Sequence, residues 1–268
     1  MHNDKTYPAQ LTYPAEQLHG RSTSPPPLPS LKEEIAYRVR YFVNAYPLLY
    51  MPMARFRHRY SEDRIVSAET DLVIEAFGRT GTTFANFAFL AAQRRRVRTV
   101  HHTHAAAQVI AAVKMRIPTL LIVRKPEEVA LSHMARHRVS ARSALHAWIR
   151  FHRRVLPFRK YIVFCLFDRM IQNFTPAIQR VNERFGANFE VWQHTKENEA
   201  AIFEQIKSRN RGRFREDQDG ERKRAFALPT AEREALKEQL RHDLEGESLA
   251  AIRAQANGVY LELVNEAV

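Results

Sequence analysis

Short apolar runs alternate with longer amphipathic segments along most of the chain. Residues 72–74, 97–104, 119–123 and 161–167 are rich in β-branched and aromatic residues, which is typical of buried strands, and residues 188–192 predict a short last strand. Between these runs, apolar residues recur at helical spacing, for example in segments 84–88, 108–115, 126–132 and 175–185. Strands that alternate with helices predict an α/β fold, with a parallel sheet that is flanked by helices on both faces.

The two ends of the chain have different patterns. Residues 1–30 hold six of the 13 prolines and little apolar periodicity, so we expect a flexible tail that precedes one domain at 31–268. Towards the other end, residues 197–208 predict a helix, and the charge-dense stretch 209–224 predicts a mobile loop. Two more helices close the chain, and the last carries an apolar stripe.

The first predicted helix has an apolar stripe at residues Leu31, Ile35, Val39, Phe42 and Val43 and is expected to end by Pro47. The favoured interpretation is that this stripe packs on the core and that the basic face is solvated. Because aromatic residues and arginines follow, a peripheral contact with an anionic membrane surface stays open as the alternative.

Composition narrows the function classes. A hydrophobic content of 45% supports a large core, and a formal net charge of +13 points to anionic partners such as nucleotides, nucleic acid, acidic glycans or anionic lipid. The single cysteine, Cys165, lies in an apolar run and predicts a buried, inert thiol. No run reaches the roughly 20 apolar residues of a membrane span, and no signal core is present, so we expect a cytoplasmic protein.

A glycine turn joins the first strand to the first core helix. The turn and the start of the helix comprise Gly78, Arg79, Thr80, Gly81, Thr82 and Thr83. This layout presents a helix N-terminus, hydroxyl groups and a guanidinium, all of which favour a phosphate. A nucleotide P-loop would have lysine at the position of Thr82, so the segment predicts a phosphate site that is poorly suited to ATP hydrolysis. A plain turn without a ligand is the less favoured alternative.

Polar side chains also follow the next two strands. The second predicted strand ends with His101, His102 and His104. These histidines predict a catalytic base, structural histidines or, less favoured, a metal site, for which no nearby Cys, Asp or Glu supplies a third ligand at the usual spacing. Arg124 follows the third strand, and Ser132 lies in the helix after it. Ligands bind at the carboxyl ends of strands in open α/β sheets, so Arg124 is placed for an anion, and a solvated arginine is the equal alternative.

Three segments together resemble the sulfotransferase family. Residues 78–83 are similar to the 5′-phosphosulfate loop, P-[KR]-S-G-T-T-[WFL]; residues 124–132 are similar to the 3′-phosphate motif, R-N-P-x-D-x-x-x-S; and residues 102–104 resemble the K-T-H segment that carries the catalytic base. The resemblance spans about residues 71–210 and extends to small bacterial sulfotransferase-like proteins. It implies a P-loop-type three-layer α/β/α fold.

The resemblance also implies a chemistry and a set of site residues. The donor is 3′-phosphoadenosine 5′-phosphosulfate, the product is 3′-phosphoadenosine 5′-phosphate, no metal is needed, and the acceptor carries a hydroxyl on a carbohydrate, lipid or small metabolite. His104 and Arg79 would be catalytic. Residues 78–83, Arg124, Ser132 and Arg211 would bind the nucleotide, Arg211 by a faint match to the family's C-terminal R-K-G-x-x-G-x-W-K loop.

Some positions differ from the family pattern, and two other functions stay open. Gly78 stands where the loop has proline, Thr80 replaces serine, and no tryptophan follows Gly212. The first alternative is a P-loop kinase-like nucleotide enzyme, which would require magnesium. The second is a catalytically decayed protein that binds nucleic acid through its arginines, although no RNA-recognition signature accompanies them.

Overall fold

The computed structural model of the protein describes residues 30–59, 61, 63–213 and 231–267. The predicted N-terminal tail therefore lies outside the described residues, as does most of the predicted loop at 209–224. The strands are β1 (Leu72–Ala76), β2 (Thr99–His101), β3 (Thr119–Val123) and β4 (Val163–Leu166). The α-helices are α1 (Leu31–Val43), α2 (Pro47–Arg57), α3 (Thr82–Ala92), α4 (Ala106–Lys114), α5 (Pro126–His137), α6 (Ala141–Val155), α7 (Phe167–Gln172), α8 (Thr175–Phe185), α9 (Lys196–Arg213), α10 (Ala231–Glu245) and α11 (Ala250–Val264).

The four strands form one parallel sheet in the order β2-β1-β3-β4. All β1, β2, β3 and β4 residues are buried, which explains their nearly continuous apolar sequences. Alternate residues face opposite layers: Ile74 packs with α3, α8 and α9, whereas Val73 packs with α2 and α4. Leu121 joins the large cluster built by α1, α5, α6, α10 and α11. The prediction of a parallel α/β fold with helices on both faces is confirmed.

Several predicted elements are confirmed with small shifts. Pro126 opens α5 at the first helical position, and Glu127 and Glu128 lie in its positive first turn. Gly186 ends α8 in the left-handed conformation, with φ of 62°. Helix α11 buries the expected stripe, and Cys165 is buried in β4, where burial raises the pKa of its thiol to about 12.

The predicted last strand at 188–192 is wrong. Phe189 and Trp192 are buried, but side-chain amides rather than a neighbouring strand satisfy this backbone. Asn182 bonds both the N–H and the carbonyl of Phe189, and Gln93 does the same for Glu190. The segment therefore packs as an extended connection that needs no strand partner.

Two other boundaries are also corrected. Strand β2 ends at His101 rather than at residue 104, because His102 and His104 adopt positive φ and leave the sheet. Helix α9 continues to Arg213, so residues 209–213 are helical rather than part of a loop.

The largest correction concerns α1. The helix ends at Val43, and Pro47 begins α2 instead of terminating α1. Its buried side chains are Tyr37 and Tyr41, whereas the predicted core stripe is exposed at Leu31, Ile35, Val39 and Phe42. The tyrosines occupy the inward face because their rings pack against Phe77 and His133, and because the Tyr37 hydroxyl is hydrogen-bonded to the buried His133.

Candidate functional site

The candidate site lies at the carboxyl ends of β1 and β3. These strands are neighbours, and β2 and β4 flank them on opposite sides, so the sheet order reverses between β1 and β3. In open α/β sheets such a switch point leaves a crevice outside the strand ends. The glycine turn follows β1 and Arg124 follows β3, so the topology brings both predicted phosphate-binding segments to this crevice.

The glycine turn is held in one conformation by close packing. Gly81 has φ of 76°, and a Cβ there would lie 2.8 Å from Met170 Cε and 2.9 Å from Phe167 Cε2. Helix α3 begins at the next residue, so its first N–H groups lie at the crevice without carbonyl partners of their own helix. A residue other than glycine would be strained at this φ, and its Cβ would displace the side chains of Met170 and Phe167 in α7.

A buried histidine fixes the other glycine. His133 Nε2 lies 3.1 Å from the carbonyl oxygen of Gly78, and its Nδ1 lies 2.8 Å from the Tyr37 hydroxyl. A carbonyl only accepts hydrogen bonds, so Nε2 donates to Gly78 and Nδ1 accepts from Tyr37. Burial holds the pKa of His133 well below its usual range, which keeps it neutral for this arrangement. Sequence reasoning missed His133 because it lies far from the turn along the chain.

Two of the predicted hydroxyl donors are engaged within the chain. Thr80 Oγ1 donates to the carbonyl of Phe77 over 2.6 Å and is buried, so it braces the turn. Thr83 Oγ1 shares a 2.6 Å hydrogen bond with His102 Nε2. The loop's contribution towards an anion therefore comes mainly from the N–H groups that open α3 and from Arg79.

Arg79 and Arg124 meet across the crevice. Arg79 Nε donates to Ser132 Oγ over 3.1 Å, and Arg124 Nη1 donates to the carbonyl of Arg79 over 3.3 Å. The Arg124 guanidinium also lies over the Phe167 ring at 4.3 Å and 3.6 Å from a carboxylate oxygen of Glu128. The structure thus brings together Arg79, Arg124 and Ser132, three residues that the sequence analysis proposed for one nucleotide.

More arginines surround Arg79 than the sequence predicted. Burial, together with the smaller effects of the positive charges of Arg233, Arg136 and Arg124, lowers the pKa of Arg79 to about 9. Such mutual repulsion in a partly buried place favours a bound anion. Arg233 comes from α10 and is buried. A signal for it exists in the sequence: Arg233 shares a helical stripe with the buried Leu240 and Leu244.

The histidine segment after β2 is held by one buried carboxylate. Glu75 Oε1 accepts from the N–H and the hydroxyl of Thr103, both at 2.7 Å, and Oε2 accepts from the N–H of His104 at 3.0 Å. Burial raises the pKa of Glu75 to about 7 although these bonds favour its charged form. The sequence analysis missed Glu75, whose signal is an acidic residue inside an otherwise apolar strand.

His104 has a defined tautomer. Its Nδ1 lies 3.0 Å from the carbonyl oxygen of Ala76, so Nδ1 carries the proton and Nε2 keeps its lone pair. Burial lowers the pKa of His104 to about 4, and the hydrogen bond to Ala76 offsets only part of that effect. His102 also has a pKa held far below the usual range, first by burial and then by His104 and His101. Both imidazoles are therefore neutral near pH 7.

Backbone strain is concentrated in the same place. Arg79, His102 and His104 have φ of 67°, 60° and 52°, in the left-handed region that residues with a Cβ rarely adopt. Such conformations persist where the surroundings fix them and occur often at functional sites. Here the Glu75 carboxylate and the Arg79–Ser132 bond provide that fixation.

The remaining predicted residue, Arg211, lies in the last turn of α9, whose side chains are described only as far as Arg209. Arg209 lowers the pKa values of His101 and His102, so the end of α9 approaches the histidine segment. Within the described part of the chain, no three His, Cys, Asp or Glu side chains are grouped as a metal site requires.

Similarity to known proteins is found among solved structures. No protein-family model matches the chain, and no curated protein matches it. Among solved structures, the chain is similar to mouse sulfotransferase SULT7A1 complexed with PAP, at 11% sequence identity and a TM-score of 0.41. The match covers 77% of this chain and 95% of the mouse protein.

Proposed function

We propose that this protein is a sulfotransferase that moves a sulfuryl group from 3′-phosphoadenosine 5′-phosphosulfate to a hydroxyl of a carbohydrate, lipid or small metabolite. One observation carries the proposal: Arg79 bonds Ser132, and Arg124 bonds the Arg79 carbonyl, at the sheet's switch point. The two segments that resemble the 5′-phosphosulfate and 3′-phosphate motifs therefore form one crevice.

The donor and the crevice have complementary charge. The donor carries negative groups at both its 3′ and 5′ positions, so it needs cations at two places. Residues 78–83, with the N-terminus of α3 and Arg79, would hold the 5′ end. Arg124 and Ser132 would hold the 3′-phosphate, and Arg211 stays in the proposal as a residue near the nucleotide. We add Arg136 and Arg233, whose positive charges also act on Arg79.

The side chains fit an in-line transfer to a hydroxyl. The donor supplies an electrophilic sulfur, and its bond to the phosphate oxygen breaks as the acceptor oxygen bonds to sulfur. His104 Nε2 has the lone pair to take the acceptor's proton, because Nδ1 is occupied by the Ala76 carbonyl. Arg79 would stabilise the negative charge that develops on the phosphate oxygen. Arginines supply this neutralisation, so the proposal requires no metal.

Titration calorimetry with 3′-phosphoadenosine 5′-phosphate tests the nucleotide assignment. We expect this bisphosphate to bind clearly more tightly than AMP or ADP, both of which lack a 3′-phosphate, and to bind equally well with EDTA or magnesium present. Equal affinity for all three nucleotides would overturn the assignment. A strict magnesium requirement together with preference for ADP would favour the kinase-like alternative.

A further inference from the structure

Helix α1 has two different apolar faces. Tyr37 and Tyr41 face the core, while Leu31, Ile35, Val39 and Phe42 form a second stripe at spacings of three and four residues. The side chains of that second stripe are exposed, with Leu31 at 76% and Val39 at 56% of full exposure. A stripe of this kind on a core-packed helix leaves a large apolar surface in water.

Helix α2 continues this surface. Tyr50, Met51 and Ala54 are buried, whereas Leu48, Leu49, Met53 and Phe56 are exposed, and Leu48 reaches 90%. The Phe42 and Tyr46 rings lie 4.8 Å apart and connect the outer sides of the two helices at their junction. We call the eight exposed side chains of α1 and α2 the apolar patch: Leu31, Ile35, Val39, Phe42, Leu48, Leu49, Met53 and Phe56.

Arginines border the apolar patch and stack on its rings. The guanidinium of Arg150 lies 5.4 Å from the Phe42 ring centroid, that of Arg154 lies 4.7 Å from Tyr46, and that of Arg59 lies 5.3 Å from Phe56. Arg150 and Arg154 belong to α6, which packs beside α1. Cationic guanidinium groups therefore lie over aromatic rings in and beside the patch.

The charge around the apolar patch is mainly positive beyond the first turn of α1, which carries Glu33 and Glu34. Residues 35–59 contain Arg38, Arg40, Arg55, Arg57 and Arg59 and no aspartate or glutamate. Residues 141–155, which form α6, likewise contain arginines and no acidic residue. A large apolar surface with a mainly cationic border matches an interface that presents both hydrocarbon and negative charge.

We propose that the apolar patch is a docking surface for the anionic surface of a lipid bilayer. The apolar side chains would enter the headgroup boundary, and the surrounding arginines would meet lipid phosphates. None of the described helices is long and apolar enough to span a membrane, so the protein would lie on the surface. This inference is independent of the proposed reaction.

A second copy of the chain and the segment 1–29 are two other occupants for the apolar patch, and charge disfavours both. A second copy packed by two-fold symmetry would bring the same arginine-rich border against itself. Residues 1–29 contain Asp4, Lys5, Glu16 and Arg21, so that segment has no excess of negative charge to offer. An anionic bilayer satisfies both the apolar surface and its border.

Vesicle co-sedimentation of the full chain tests the proposal. We expect binding to vesicles of phosphatidylcholine with phosphatidylglycerol, much weaker binding to pure phosphatidylcholine, and release as salt is raised. The double variant Leu48→Ser/Phe56→Ser should lower the partition coefficient about tenfold or more, since two large exposed side chains lose their apolar contact. Replacing Arg55 and Arg57 by glutamine should weaken binding and its salt dependence.

The matched control is Leu261→Ser on α11, because Leu261 is 61% exposed but lies outside the apolar patch. It should bind anionic vesicles like the unmodified protein, and both serine variants should keep the wild-type melting temperature. Equal binding of all three proteins, or no binding by the unmodified chain, would overturn the proposal. So would a dimer in sedimentation velocity that the Leu48→Ser/Phe56→Ser variant converts to a monomer.

A labelled variant identifies what covers the apolar patch. The one native cysteine is buried, so Leu48→Cys can be labelled selectively with a polarity-sensitive fluorophore. Emission should shift to the blue only when anionic vesicles are added. Emission that is already blue-shifted without vesicles and unchanged by them would show that the chain itself covers the patch, and the membrane proposal would fail.

Discussion

Arg79 Nε and Ser132 Oγ are joined by a 3.1 Å hydrogen bond across 53 positions of the sequence. Arg79 belongs to the turn after β1, and Ser132 belongs to the helix after β3. Ser132 is buried, so this bond sets where the guanidinium sits before any ligand arrives. A donor group that is fixed in this way loses little conformational freedom when it binds an anion, so the entropic cost of binding is lower.

The 3′-phosphate assignment predicts the behaviour of Arg124. In Arg124→Ala, the preference for 3′-phosphoadenosine 5′-phosphate over AMP should fall about tenfold to a hundredfold, because a charge-assisted hydrogen bond contributes about 1.5–3 kcal/mol. AMP affinity should change less. Calorimetry with both nucleotides measures the difference. Lys114→Ala is the control, since Lys114 is exposed and closes α4 at the far end from β2.

The proposed assignment of residues 78–83 to the 5′-phosphosulfate predicts that the shape of the Arg79 side chain matters as well as its charge. Arg79→Ala should lose donor binding and turnover, whereas Arg79→Lys should retain part of each, because lysine keeps the charge and lacks the planar fork. Donor affinity and steady-state turnover measure the two effects. Unchanged donor affinity in Arg79→Ala would show that the loop holds no phosphate.

The base assignment predicts a loss of turnover with little loss of binding. His104→Ala should reduce kcat by about a hundredfold or more while donor affinity stays within a few-fold. Burial lowers the pKa of His104 to about 4, so protonation of this imidazole should limit the rate only near pH 4 and not near 6.5. Slow hydrolysis of the donor by water can serve as the assay.

His102 is the internal control for that experiment. It shares its Nε2 with the Thr83 hydroxyl, so His102→Ala should loosen the start of α3 and cost less turnover than His104→Ala. If turnover is retained in His104→Ala and lost in His102→Ala, the base is His102.

Glu75 acts as a positioning residue for the histidine segment. Its carboxylate accepts from three donors at Thr103 and His104, and protonation would place a hydrogen against one of them. Because burial raises its pKa to about 7, turnover should decline as pH falls through about 7. Glu75→Gln should lower kcat about tenfold, leave donor KM nearly unchanged, and abolish this decline. A pH profile that is identical in both proteins would remove Glu75 from the reaction.

Three buried histidines predict acid sensitivity of the fold. Burial lowers the pKa of His101 to about 4 and of His152 to about 3, and holds that of His133 far below its ordinary value of 6.5. Since the unfolded chain binds these protons more readily, their stabilising contribution is present above pH 6.5 and is lost as pH falls towards those values. Each should cost up to about 1.4 kcal/mol per pH unit.

Urea unfolding at pH 7 and pH 5 measures this loss. Glu75 works in the opposite direction, because a raised carboxyl pKa contributes stability below its ordinary value of 4.5 and loses it as pH rises towards 7. One carboxyl opposes these three histidines, and the lowered pKa values of His102 and His104 act in the same direction as theirs, so the free energy of unfolding should still fall on acidification. His152→Gln should flatten the decline, and an equal or higher stability at pH 5 would contradict the account.

Local patterns predicted the sheet because its four strands are buried and therefore nearly continuous in apolar sequence. The positions of the turn at Gly78, of Arg124 and of Ser132 could be predicted because each follows the end of a predicted strand. Local patterns missed the segment 188–192, where remote amides from Asn182 and Gln93 satisfy the backbone. They also predicted the wrong buried face of α1. Burial of Tyr37 is favourable because its hydroxyl is hydrogen-bonded to His133, which lies far along the chain.

The candidate site likewise contains residues that local motifs indicate and residues that only the fold brings together. The structure brings the motif residues Arg79, Arg124 and Ser132 together. Glu75, His133 and Arg233 were not predicted, since each acts through a partner that only the fold brings near. Whether His104 is exposed to an acceptor also depends on the left-handed conformation of a loop that apolar periodicity read as strand.

The chain of contacts from Tyr37 through His133 to the carbonyl of Gly78 gives α1 a mechanical role. One side of the helix holds the glycine turn, and its other side carries part of the apolar patch. If a contact at the outer face shifts this helix, it changes the conformational energy of the glycine turn. Thermodynamic linkage then requires that binding at the turn and binding at the outer face affect each other by the same coupling free energy. A nucleotide at the turn would alter the affinity of the outer face by the factor by which that face alters nucleotide affinity.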